Sequence, residues 1–259
     1  MTASKMKFLD LLLDRAGDVL SFFLRVSILL LTAAVVISCG IPTEAYLYAP
    51  IRRTENINPG IMKFENSTEN DADIFLGYML IYRFYLSNNI PAAANDDDAW
   101  NDIGEGFFTK SVLNSYDKED ERGYYSTSYN YSLFKVLEIP SGNRSDNFIV
   151  TLDFSDLGGE NTFGNILGSD FDLRRSFMRE ELGDKEWIED IEGERIFFSQ
   201  QAIDYNSTDT DLPQGVSIPG SEIVCAVWTV AYGFDIYDTF QNVYSKPVYL
   251  GNFNFTIIN

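Results

Sequence analysis

The sequence predicts an all-β-dominated fold, a β-sandwich with a large insertion that contains one or two short helices. Two segments, 75–86 and 223–234, carry apolar residues on both faces of an extended chain, which is typical of central strands covered on both sides. Two others, 124–134 and 148–154, alternate apolar with polar residues and indicate half-exposed strands. A helical period appears mainly at 169–183.

The first elements follow from the positions of proline and polar residues. Residues 41–60 contain three prolines and no helical period, so we predict a tether followed by a first edge strand near 46–51. After the central strand at 75–86, an asparagine pair, a proline and the acidic run 96–98 indicate a loop.

One helical region interrupts the predicted sheets. Ser169 is the expected N-cap, apolar residues follow at a spacing of four, and Gly183 is the expected stop. A short second helix is predicted around Trp187. Both helices fall inside the predicted insertion.

The C-terminal part returns to strands. One face of 223–234 holds Val224, Ala226, Trp228, Val230 and Tyr232, and the other holds Ile223, Cys225, Val227 and Ala231. Because both faces are apolar, we expect Cys225 to be a buried, unreactive thiol. Residues 243–255 predict a further strand, in which Pro247 marks an edge or a bend.

The composition excludes several classes of function. The chain of 259 residues has no histidine and two cysteines, which excludes a Ser-His-Asp or Cys-His catalytic unit, a His-ligated zinc or haem, and a zinc knuckle. The formal net charge of −20 argues against nucleic acid as a partner, since phosphate binding needs clustered Lys and Arg. Basic proteins or divalent cations fit that charge better.

The N-terminus has the pattern of a secretory signal. Lysine and arginine residues precede an apolar run at 26–37, which is shorter than the roughly 20 residues of a membrane-spanning helix and matches the apolar part of a signal peptide. The run ends in Val36-Ile37-Ser38-Cys39. These residues resemble the lipobox of bacterial lipoproteins, in the loose form that resembles spirochaete lipoproteins.

The lipobox resemblance implies a lipid anchor on Cys39. In that family the thiol receives a diacylglyceryl group, a peptidase cuts before the cysteine, and the new amine is acylated. Two or three acyl chains hold a protein stably at a bilayer. The implied address is a bacterial membrane, extracytoplasmic, on the outer membrane, the cell surface or the periplasmic face. The alternative is a signal anchor that is never cut.

These patterns predict three parts of the chain. Residues 1–38 are a signal peptide, 39–60 are the lipidated tether with the first edge strand, and 61–259 are a single elaborated sandwich domain with its insertion at about 88–220. The alternative is a division into two domains near 156–168, which is rich in glycine.

Three segments resemble a fibronectin type III domain, an immunoglobulin-like sandwich. Residues 75–83 resemble its third strand, and 228–233 and 244–248 resemble its last two strands. A much longer segment separates these pieces than in that family, and Trp228 replaces the usual tyrosine. The resemblance implies a sandwich whose loops and sheet faces carry its binding role.

Candidate binding residues are few. Tyr125, Tyr129 and Tyr131 share one face of a predicted strand, where they could stack on sugars or contact a protein; the alternative is the inner face of that strand. Acidic residues cluster at 96–105 and 180–194, but neither the run from Asp96 nor the one from Asp204 has the spacing of an EF-hand loop. A looser calcium site is left open.

The sequence favours a membrane-anchored lipoprotein that acts as a surface binding or adhesion module, with basic, host or envelope proteins as partners. A structural or envelope-assembly lipoprotein without an external ligand is the alternative. A hydrolase with two catalytic carboxylates is a third hypothesis, for which the sequence cannot select one acid pair among many. We expect no enzyme, and no cofactor besides the acyl chains on Cys39.

Overall fold

Strands make up most of the regular structure. The computed structural model describes Ser27 and residues 45–54, 60–91, 94, 96–116, 131–155, 163–173, 178–181, 184–187, 220 and 222–256. The strands in these residues are β1 (Ile51–Arg53), β2 (Ile61–Glu65), β3 (Phe75–Leu86), β4 (Tyr131–Glu138), β5 (Ile149–Asp153), β6 (Phe163–Ile166), β7 (Ser169–Asp172), β8 (Met178–Glu181), β9 (Asp184–Trp187), β10 (Glu222–Phe234), β11 (Asn242–Tyr244) and β12 (Val248–Thr256). The helices are α1 (Asp97–Phe107) and α2 (Lys110–Asn114).

The strands form two larger antiparallel sheets. The first has the order β1-β2-β5-β6-β7, and the second has the order β4-β3-β10 with β11 and β12 on the free side of β10. Strands β8 and β9 pair with each other. The predicted fold class, an all-β-dominated sandwich with short helices in an insertion, is confirmed.

The core lies between the two sheets. One apolar cluster takes side chains from both of them; its fully buried members include Phe64, Val150, Leu152, Tyr78, Leu80 and Val227. A second cluster covers the other face of the second sheet, where Met79, Ile81 and Trp228 pack with Trp100, Phe108 and Leu113 of the helical segment. The molecule therefore has three layers here: sheet, sheet and helices.

This layering explains the two strands that are apolar on both faces. Strand β3 lies between β4 and β10, and β10 lies between β3 and the β11–β12 edge. Along β10, Ile223, Cys225 and Val227 face the sandwich core, while Val224 and Trp228 face the helices. The prediction of central strands buried on both sides is confirmed.

The edge of the second sheet is interrupted at Pro247, as the sequence predicts. Strands β11 and β12 run one after the other along β10, and Ser245 lies between them. The Ser245 amide donates to the Ala231 carbonyl, and its hydroxyl oxygen accepts from the Ala231 amide at 3.0 Å. The side chain thus replaces a ladder bond at the point where the proline bends the strand.

The acidic run 96–98 begins helix α1, so its prediction as a loop is wrong. The Asp96 carboxylate accepts from the Ala99 amide at 2.8 Å and caps the helix, and Asp97 and Asp98 lie in the first turn, where the helix dipole favours acids. Trp100, one turn later, is buried against the second sheet.

The helix predicted at 169–183 is also wrong. Ser169 begins β7 and residues 178–181 form β8. Leu167 and Gly168 both have positive φ, 51° and 80°, and form the two-residue turn of the β6–β7 hairpin. The turn therefore fixes Ser169 as a strand residue instead of a helix cap. Trp187, predicted in a second helix, lies in β9; the intervening residues 174–177 and 182–183 lie outside the described residues.

The predicted first edge strand starts later than expected. Residues 46–50 belong to no strand, and the pairing with β2 begins at Ile51. Leu47 is fully buried in the sandwich core, which ties residues 45–50 to the body. None of the described helices is long and apolar enough to span a bilayer. The signal peptide and the predicted domain bounds stay predictions.

Candidate functional site

The structure describes one of the four sequence-predicted site residues. Cys39, Tyr125 and Tyr129 lie outside the described residues. Tyr131 is the first residue of β4, and its backbone is paired with Arg83 of β3. Among the described strands β4 has no neighbour other than β3, so Tyr131 lies on a sheet edge.

Two acidic residues of the helical segment are engaged in ion pairs. Asp97 pairs with Arg52 at 2.5 Å, and Glu105 accepts from the Lys246 ammonium at 2.9 Å. The described residues contain no group of three or more acidic or cysteine side chains placed to hold a metal ion. The second run examined for calcium, from Asp204, lies outside the described residues. Cys225 is fully buried in the sandwich core, as expected.

Loops from both sheets meet at one end of the sandwich. The segments are 66–74 between β2 and β3, 139–148 between β4 and β5, and 235–241 between β10 and β11; we call these three together the loop end. The buried Asn66 amide donates to the carbonyls of Arg144, at 3.1 Å, and Asp146, at 2.7 Å. Arg144 in turn donates to the Ala72 carbonyl. These bonds hold the loops as one surface.

Asp235 organises the loop 235–241 from within. Its buried carboxylate accepts from the amides of Tyr237, Asp238 and Thr239 and from the Thr239 hydroxyl, at 2.8–3.1 Å. Its own amide donates to the Gln241 carbonyl, which closes the loop. Because these donors stabilise the ionised form, the pKa of Asp235 falls to about 2. The loop therefore keeps its anchoring charge at neutral pH.

This loop exposes three large apolar side chains. Ile236, Tyr237 and Phe240 are 44%, 61% and 67% exposed. Phe240 also has a φ of 51°, a left-handed conformation that costs a side-chain-bearing residue roughly 1 kcal/mol. Phe240 is thus largely unburied despite its strained backbone conformation, which makes it a candidate contact residue.

Neighbouring segments fix the position of the loop. The Tyr237 hydroxyl donates to the Asp73 carboxylate at 2.9 Å, and Lys110 of α2 donates to the Gln241 side chain at 3.0 Å. Close to the same end, Tyr48 exchanges two hydrogen bonds with the buried Asn70 side chain. Tyr46 and Tyr48, in edge-to-face contact, are also exposed.

A cleft of about 480 Å³ is the second candidate. It lies between β1, β2, β12 and the start of α1. Arg52 lies over the Tyr249 ring and pairs with Asp97, and Arg53 pairs with Glu65, although Nε of Arg52 has no hydrogen-bond partner among the described residues. The charged residues that line the cleft mainly form ion pairs between β1 and its neighbouring elements, so we regard the loop end as the better candidate.

Sequence reasoning misses the loop end. Asp235 is one of 39 acidic residues, and the sequence does not distinguish an exposed phenylalanine from a buried one. The available signal is local: an aspartate followed four residues later by threonine, at the end of a predicted strand, is typical of a turn in which the carboxylate accepts backbone amides. The aromatic residues within such a turn are the candidates for exposure.

Comparison with known proteins adds no relative. The sequence matches no protein-family model, and neither curated proteins nor solved structures give a significant match.

Proposed function

We propose that this chain is a membrane-anchored bacterial lipoprotein, lipidated at Cys39, whose sandwich is a binding module that contacts a protein partner through the loop end. The observation that carries the proposal is the ordered loop 235–241 with its exposed Ile236, Tyr237 and Phe240. Aromatic side chains dominate the binding energy of many protein interfaces because they bury much area at little entropic cost.

The order of this loop supports a binding role. A loop that is already fixed before contact avoids the entropic cost of ordering during binding, so more of its contact energy appears as affinity. Four hydrogen bonds to Asp235 and one from Tyr237 to Asp73 supply that order. A rigid sheet scaffold that presents binding loops is a common arrangement.

The anchor has a direct test. We expect the wild-type protein to incorporate labelled palmitate in bacterial cells and the Cys39→Ala variant to incorporate none, because acyl chains are attached through that cysteine in the proposal. Cys225→Ala, which removes the buried thiol, is the matched control and should keep the label. Equal labelling of wild type and Cys39→Ala would contradict the anchor.

The binding surface is tested at Phe240. We expect Phe240→Asn to weaken binding of the full chain to its envelope or matrix protein partner by at least about tenfold, since one aromatic anchor at an interface often contributes 2 kcal/mol or more. Stability should stay equal or rise slightly, because asparagine tolerates the left-handed conformation better. Binding is measured by surface capture and stability by thermal unfolding.

Leu167→Asn is the matched control. Leu167 is exposed, has the same φ of 51°, and lies in the β6–β7 hairpin of the other sheet. The Leu167→Asn variant should bind the partner as tightly as the wild type does. A panel of envelope and matrix proteins that shows no binding at micromolar concentration, or an equal loss in both variants, would count against this surface.

A further inference from the structure

Carboxylates border the exposed apolar side chains of the loop end. Asp71, Asp73 and Asp238 are all exposed, as is Glu69. Asp73 accepts from the Tyr237 hydroxyl, and Asp238 follows Tyr237 in the loop. The Asp71 carboxylate accepts from the Asp73 amide at 2.9 Å, so both carboxylates lie in one turn. The hydrogen bond to Asp73, desolvation and the negative charges of Asp71 and Asp73 together raise the pKa of Tyr237.

Two basic side chains at or beside the loop end donate to uncharged acceptors. Arg144 donates to the carbonyls of Ile139 and Ala72, and Lys110 donates to Gln241. Among the described residues, no ion pair involves Asp71, Asp73 or Asp238. The three segments of the loop end hold six acidic residues and one basic residue, Arg144, so the apolar side chains are flanked by net negative charge, in a chain whose net charge is −20.

We propose that the loop end binds a basic protein segment, one whose apolar side chains enter between Ile236, Tyr237 and Phe240 while flanking Lys or Arg side chains reach Asp71, Asp73 and Asp238. This inference rests on the proposed binding function and names the partner's chemistry. Opposite charges around an apolar contact speed association and reject wrong partners. Exposed Tyr and Phe rings also attract cations through their faces.

A lipid surface fits the same residues less well. The cytoplasmic and many bacterial membrane surfaces carry anionic lipid, which attracts basic residues and repels carboxylates. Aromatic residues that enter an interface are normally accompanied by Lys or Arg. With acidic groups beside Tyr237, the loop end has the opposite charge pattern, so we commit to a protein segment.

Three labelled peptides of equal length test the proposal by fluorescence polarisation with the full chain. The peptides alternate Leu with Arg, Leu with Ser, and Leu with Glu. We expect the Leu/Arg peptide to bind at least about tenfold more tightly than the Leu/Ser peptide, and the Leu/Glu peptide to bind weakest of all. The affinity for Leu/Arg should fall severalfold when NaCl is raised from about 50 to about 300 mM, since exposed pairs are screened.

A charge-removal variant locates the effect. Asp71→Asn, Asp73→Asn and Asp238→Asn combined should weaken Leu/Arg binding by about tenfold, given up to about 1 kcal/mol for each exposed pair. Asparagine keeps one side-chain oxygen to replace the acceptors Asp71 Oδ1 and Asp73 Oδ2. The matched control removes three charges away from the loop end: Asp98→Asn, Asp153→Asn and Glu222→Gln. It should bind like the wild type.

The possible outcomes distinguish failure of the basic-segment proposal from failure of the proposed binding function. Equal binding of the three peptides, or equal losses of affinity in the two charge variants, would overturn the proposal of a basic partner. The proposed binding function would still hold if Phe240→Asn abolishes capture of a natural partner. Sedimentation of the Cys39→Ala variant with phosphatidylcholine vesicles, with or without phosphatidylglycerol, in a manner that Phe240→Asn removes, would overturn it in favour of a lipid surface.

Discussion

Replacing Trp228 with alanine should lower the free energy of unfolding by about 3–5 kcal/mol, the usual range for removing a fully buried aromatic side chain. Trp228 is fully buried on the helix-facing side of β10. Its ring contacts those of Trp100, Phe108 and Tyr249 at centroid distances of 5.6–5.7 Å. The alanine variant therefore leaves a cavity between the second sheet and the helices.

Trp228 also joins the two layers by a directed bond. Its indole Nε1 donates to the Trp100 carbonyl in α1 at 3.0 Å. Gly104 of α1 packs so closely on the indole that a Cβ there would lie 2.8 Å from Nε1. Trp228 thus fixes both the position and the distance of α1, and its loss should loosen the helical layer in particular.

Equilibrium urea denaturation of the full chain measures the effect. Trp228→Phe, which keeps an aromatic ring but loses the indole bond, should give an intermediate loss. Tyr237 is an exposed aromatic residue in the loop 235–241, so the free energy of unfolding of Tyr237→Ala should stay within about 0.5 kcal/mol of the wild-type value. A loss for Trp228→Ala no larger than that of Tyr237→Ala would show that the helices do not depend on this contact.

The sequence predicts elements well where burial imposes a pattern. Strands β3 and β10 are found within one residue of their predicted bounds, because burial on both faces requires long apolar runs of strand length. Pro247 interrupts the strand whatever residues surround it, because proline has no backbone N–H to donate to a neighbouring strand. These are the parts of the fold in which local chemistry and tertiary position agree.

Prediction fails where a local signal has two meanings. The acidic run 96–98 fits a solvated loop and an acidic helix start equally well, and Trp100, buried against β10 from far along the chain, decides between them. The apolar residues spaced four apart after Ser169 suggest a helix, but the Leu167–Gly168 turn pairs β6 with β7. Neither outcome can be read from a window of neighbouring residues.

The candidate site is harder to predict than the fold for a related reason. Composition rules assign aromatic residues to the core, and most of the aromatic side chains that the structure describes do lie there. Phe240 and Tyr237 are exceptions because Asp235 holds their loop away from the core by accepting four hydrogen bonds. That arrangement depends on the geometry of the β10–β11 hairpin, which cannot be predicted from the sequence alone.

Replacing Gly77 with alanine should destabilise the protein by at least about 3 kcal/mol, although it adds one methyl group. Gly77 lies in β3 opposite Glu138 of β4. A Cβ at this position would lie 1.9 Å from the Leu137 carbonyl oxygen and 2.9 Å from the Leu137 carbonyl carbon. Both are backbone atoms, so no side chain can rotate away, and the clash is relieved only by separating β4 from β3.

Gly106→Ala in α1 is the matched control, and it should act in the opposite direction. Apart from its chain neighbours and the nearby backbone of its own helix, no atom lies within 4 Å of a Cβ built there, and the residue is exposed. Alanine in a helix should therefore raise the free energy of unfolding by about 0.5–1 kcal/mol. Urea denaturation of both variants of the full chain compares them directly. If Gly77→Ala unfolded within about 1 kcal/mol of the wild type, β4 could not be packed as closely on β3 as the structure places it.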